Sequence, residues 1–136
     1  MMAIDTAIVV AHPWLCDAMG HMNARHIYAA LDDAGFALLD FLGFSSVQSV
    51  REGKGWADVR AEVEFEHEVA AGSVLRVQSQ IVRVGRTSFT HFHSLSSHAG
   101  VRHATAKTTT VRLDLTAGKA IALPETFADA ARAWCA

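Results

Sequence analysis

One long helical stripe is followed by four strand patterns with no second helix between them, and that order leaves few ways to bury the apolar surface. Ile27, Leu31, Ala34, Leu38 and Leu42 recur at spacings of four, three, four and four, which places them along one side of a helix. Asn23 is suited to cap its start and Gly43 to stop it. A helix over 24–42 is therefore predicted, about 28 Å long at 1.5 Å per residue. Five or six strands about 4.8 Å apart span a similar width, so a single helix can cross a whole sheet.

The strand patterns supply that sheet. Residues 4–12 are rich in Ile and Val and stop at His12-Pro13, where proline ends regular pairing. After a loop holding Gly53 and Gly55 the period becomes two. Ala57, Val59, Ala61, Val63, Phe65 and Val69 fall on one face, and Asp58, Arg60, Glu62, Glu64, Glu66 and Glu68 on the other. Ala70-Ala71-Gly72 turns the chain, and residues 73–84, 87–97 and 101–115 read as three further strands. Pro124 opens a short final helix through Trp134. The expected class is α+β: an antiparallel sheet of five to six strands wrapped around one central helix, its outer face left to solvent or to a second copy.

Composition removes several roles. With 136 residues the chain fits one domain, 1–136, and with 51% apolar and 19% charged residues it is not disordered. Twelve Lys plus Arg against 14 Asp plus Glu give −2, which is no electrostatic footprint for nucleic acid or an anionic membrane. No run approaches the roughly 20 apolar residues of a membrane span. Met1 to Asp5 lacks the basic segment of a secretory signal, so a cytoplasmic protein is expected. Cys16 and Cys135 are expected to be free thiols.

Chemistry concentrates in Asp17-Ala18-Met19-Gly20-His21-Met22-Asn23. A carboxylate stands just before a helix whose first N–H groups have no partner within the helix and so favour an oxyanion. It could attack a carbonyl or activate water. A turn aspartate, a loop histidine and a capping asparagine would read the same way.

The wider pattern adds to this. The segment resembles the D-x-x-G-H-x-N signature of hotdog-fold acyl-CoA thioesterases of the 4-hydroxybenzoyl-CoA thioesterase type. The likeness continues through Asp32-Asp33-Ala34, Leu42-Gly43, Glu62-Val63-Glu64-Phe65, Gly72 to Val77, Val84-Gly85-Arg86-Thr87-Ser88-Phe89 and Leu123-Pro124. It implies a hotdog fold and hydrolysis of an acyl-CoA thioester to free acid and CoA, without a cofactor. Asp17 would be nucleophile or general base, the amides near Ala24 and Arg25 the oxyanion donors, and His21 and Asn23 would shape the loop. The sequence departs from the family where Ala24 replaces a second asparagine and Ile27 a tyrosine; the tyrosine here is Tyr28, about 100° further round the helix. Asp32 and Asp33 are reserve carboxylates. The resemblance also implies a homodimer or a tetramer of two dimers, with the site borrowing from the partner's strands 56–69 and 87–97. Arg83, Arg86, Ser88 and His67 are the candidates for contacting CoA, with Arg102 and His103 behind them.

Two further readings stand beside this one. A hotdog hydratase would carry an aspartate and a histidine five apart in D-x-N-P-x-H, whereas His21 follows Asp17 by four with no proline between. A non-catalytic acyl-CoA-binding module would keep the loop but not the turnover. His91-x-His93 could hold zinc, but no third ligand at His67 or His103 has the spacing, so no metal is expected.

Overall fold

A computed structural model describes residues 2–135; Met1 and Ala136, the ends of the expected 1–136 domain, lie outside the described residues. The order is β1 (Ile4–Val10), a 3-10 turn (Pro13–Leu15), α1 (Ala24–Phe41), α2 (Ser46–Arg51), β2 (Lys54–Phe65), β3 (Val74–Val84), β4 (Ser88–Ser97), β5 (Arg102–Asp114), β6 (Lys119–Ala120) and α3 (Glu125–Ala133). The strands form one antiparallel sheet in the order β1-β3-β4-β5-β2, with β6 paired to the end of β5. The sheet curls around α1 in the expected α+β arrangement.

Helix α1 starts where the sequence predicts, because the Asn23 side chain accepts the Arg25 N–H at 3.1 Å. Gly43, at φ 84°, takes the left-handed turn beyond its end. The stripe Ile27, Leu31, Ala34 and Leu38 faces the sheet and is buried. Complete burial of a leucine such as Leu38 stabilises by about 1.5–3 kcal/mol.

Three expectations change. Helix α2 occupies what reads as loop; Ser45 caps it through the Gln48 N–H, and six residues are too few to show a period. Pro124 caps α3 from outside rather than standing in its first turn. The third change concerns β2. Its register with β5 slips between Asp58 and Arg60, a bulge at Val59 that puts Trp56 and Asp58 on the same inner face as Val63. Asp58 therefore lies on the helix side of the sheet, bonded to Thr110 though still exposed, and not on the outer face with Glu62 and Glu64.

The interior has two apolar cells. One gathers Met22, Ile27, Leu31, Val77, Leu95 and Ala106; the other holds Leu38, Leu42, Ile81, Phe89 and Phe127. Between them lies a polar layer, Ser79, His91, His93 and Thr110, all buried. Trp14 and Phe36 are exposed in the single chain, while Trp56 packs against Phe89 and Phe127.

Candidate active site

The segment 16–22 folds back on itself as a tight hairpin. The Asp17 N–H donates to the His21 carbonyl at 2.8 Å and the Gly20 N–H to the Asp17 carbonyl at 3.0 Å. Gly20 sits at φ 78°, a left-handed conformation that costs a side-chain-bearing residue about 1–2 kcal/mol. The hairpin is docked by the Met22 N–H to Val69 and the Ala71 N–H to Gly20. Backbone pairing with residues 69–71 thus fixes the loop.

Within it, Asp17 Oδ1 accepts N–H groups from Met19 at 2.9 Å and His21 at 3.3 Å. Its Oδ2 accepts no hydrogen bond among the described residues. The carboxylate is held by one oxygen and presents the other. His21 Nε2 lies 3.2 Å from Glu68 Oε2, while its buried Nδ1 has no partner among the described residues.

The helix start separates the two expected oxyanion donors. The Arg25 N–H is taken by the Asn23 cap, while the Ala24 N–H has no acceptor among the described residues. Asp17, His21, Ala24, Ile27, Phe65 and His67 line one pocket of about 280 Å³. Asp17, with one oxygen unengaged, and Ala24, with its N–H unengaged, thus line the same pocket. Asn23 acts on this pocket through the helix cap, and Arg25 stands outside its wall.

The remaining candidates divide. His67 follows the end of β2, is exposed, and lines the pocket. Arg83, Arg86 and Ser88 lie on the β3–β4 hairpin, level with Ala57 through the Ser88–Val111 and Ala57–Val111 pairings. Phe65 is eight residues further along β2, about 27 Å at strand rise. One chain does not bring these three to Asp17. Arg102 is committed to Glu66, with Nε 2.8 Å from Oε2, which draws the Glu66 carboxyl below its ordinary range.

A second cleft was not foreseen. Asp32 of α1 and Asp58 of β2 line it with Phe36, Trp56, Phe89 and His91. Burial, then the Asp58 charge and a hydrogen bond to Asp58, raise the Asp32 carboxyl above its usual range. The only sequence signal for Asp58 would have been the bulge, and no Gly or Pro marks it.

Comparison with known proteins places the family and the fold. The model of the thioesterase-like superfamily matches residues 10–131, and the chain belongs to that family of thioester hydrolases. A Staphylococcus aureus protein, SAV2348, solved in complex with CoA, superposes with a TM-score of 0.90 at 15% identity over 98% of this chain and 85% of its own. Slr0204, a 1,4-dihydroxy-2-naphthoyl-CoA thioesterase from Synechocystis, superposes with a TM-score of 0.84 at 18% identity over 96% and 95%. A DHNA-CoA thioesterase from Staphylococcus aureus does so at 0.83 and 17% identity over 95% and 86%. At these identities the structures share the fold with this chain. No curated protein matches the sequence.

Proposed function

We propose that the chain hydrolyses acyl-CoA thioesters at the Asp17 loop. The observation that carries this reading is that Asp17 and Ala24, whose Oδ2 and N–H are both unengaged among the described residues, line one pocket. A thioester carbonyl whose oxygen meets the Ala24 N–H gains the field of the helix N-terminus as charge develops. Asp17 then attacks the carbonyl carbon, the C–S bond breaks to release CoA, and water hydrolyses the resulting mixed anhydride; or Asp17 takes a proton from a water that attacks directly, and the C–S bond breaks with the proton passing to the leaving CoA sulfur. Water is the second substrate and no cofactor is required. His21, braced by Glu68, and Asn23, through the cap, keep both groups in place.

The reading includes self-association. Strand β2 is a twelve-residue sheet edge that exposes Val59 and Phe65. Natural edges of this kind are covered or paired. A second copy on this edge would supply what one chain keeps far from Asp17. Arg83, Arg86 and Ser88 are then the proposed CoA contacts from the partner, with His67 contributed locally.

The test is release of free CoA, followed by chromatography, from short, long, aromatic and polar acyl-CoAs. Wild type is compared with Asp17→Asn. The expected result is turnover that falls at least about 10²-fold in the variant. Equal turnover in both proteins would remove Asp17 from the chemistry.

A further inference from the structure

Phe65 is the last residue of β2 paired with β5, and Val69 returns to the core; between them the chain crosses three exposed residues, Glu66, His67 and Glu68. Burial does not hold these three, yet all of them line the Asp17 pocket and Glu68 reaches His21. They are held by His103, the second residue of β5. The His103 carbonyl accepts the Glu66 N–H at 2.8 Å and the His67 N–H at 3.2 Å. Its ring Nδ1 lies 3.2 Å from the His67 carbonyl and 3.0 Å from the Glu68 carbonyl. Four backbone groups of a three-residue wall thus end on one residue, and Arg102 beside it takes the Glu66 carboxylate.

Proton supply fixes the direction of each bond. A carbonyl only accepts, so His103 Nδ1 carries the hydrogen and shares it between the two oxygens. The Glu68 carboxylate also only accepts, so the His21 ring gives it the Nε2 hydrogen. His21 is bonded to Asp17 twice in turn. Its N–H donates to Asp17 Oδ1 at 3.3 Å, and its carbonyl accepts the Asp17 N–H at 2.8 Å. A continuous line of contacts therefore runs from His103 through Glu68 and His21 to Asp17.

The weakest link of that line is the one His103 serves. The Glu68 side chain is 72% exposed, and an exposed pair gains little against the freedom its side chains give up. On an unheld segment the carboxylate would leave His21 for water much of the time. With its carbonyl pinned, Glu68 gives up only its own side-chain rotations to stay. We propose that His103 is a positioning residue of the Asp17 site: through the His67 and Glu68 carbonyls it sets the pocket wall and holds Glu68 against the His21 ring. The inference rests on the reading of Asp17 as the reacting carboxylate. It takes His103 out of the CoA contacts, because the role needs no touch of the substrate.

Two variants separate this from a structural role. His103→Leu removes the donor, while His103→Asn places an amide N–H where the Nδ1–H stood. In release of CoA from acyl-CoAs, kcat should fall at least about tenfold in His103→Leu with KM little changed, and return in His103→Asn. NMR of the histidine rings in the full chain reads the same line without turnover. At about pH 8 the wild-type rings should carry their protons on Nδ1 of His103 and on Nε2 of His21. In His103→Leu the His21 ring should average between its two forms, and in His103→Asn it should be fixed again. A rise in KM with kcat unchanged marks a CoA contact and overturns the proposal. So does an equal loss in both variants, a His21 ring unmoved in His103→Leu, or a wild-type His103 ring with its proton on Nε2. Should Asp17→Asn turn over as wild type does, the reading of Asp17 fails, and the ring spectra still decide whether His103 holds His21. The wild-type spectra decide alone if the variants do not fold.

Discussion

Asn23 shows how one side chain couples stability to the site. Its Oδ1 takes the Arg25 N–H, which fixes where α1 begins and leaves the Ala24 N–H as the unengaged donor beside Asp17. Asn23→Ala should cost about 1 kcal/mol in urea unfolding, as loss of an N-cap does. This residue was legible in the sequence because cap, turn and carboxylate lie within seven positions and their chemistry is local. Asp58 was not. The alternation from Ala57 to Glu68 continues in the sequence straight through the bulge at Val59. A carboxylate on the helix side of the sheet therefore reads as one more acid of the outer face.

Among the elements, β4 carries the largest pH dependence. Burial holds His91 and His93 neutral, at about 4 and about 3, against an unfolded value near 6.5. Their folded values are depressed, so the neutral rings contribute their full stability above about pH 6.5. Below it the unfolded chain binds protons that the folded chain refuses, and stability falls until the pH passes the folded values. Two such groups give a slope of about 2 kcal/mol per pH unit between about pH 6 and 4. Acid denaturation followed by circular dichroism should show that slope, and His93→Gln should reduce it by about half.

Element identity was largely readable for the same reason that β4 was: α1 and the four long strands each repeat their period several times. Helix α2 repeats nothing, with Val47 and Val50 exposed and one buried residue, Ser49. The His91-x-His93 pair was visible, yet its partners Ser79 and Thr110 come from two other strands. Only the register between strands brings them together.

For the whole molecule, the bare β2 edge sets the expected assembly. Sedimentation velocity should give at least twice 14.7 kDa, and Val59→Asp with Phe65→Asp should lower it to the single chain. A wild-type chain that sediments as 14.7 kDa would leave Arg83, Arg86 and Ser88 without a route to the Asp17 pocket.

The layer of imidazoles and hydroxyls also partitions how the sequence can drift. Because Ser79, His91, His93 and Thr110 separate the Leu75–Val77–Leu95 cell from the Ile81–Phe89–Phe127 cell, a volume lost on one side is not felt as strain on the other. Leu75→Val and Phe127→Leu should destabilise the double variant by the sum of their separate costs, within about 0.5 kcal/mol. Phe89→Leu with Phe127→Leu, whose rings meet at 5.0 Å, should depart from additivity by more than that. Each half of the interior is then free to be rewritten on its own.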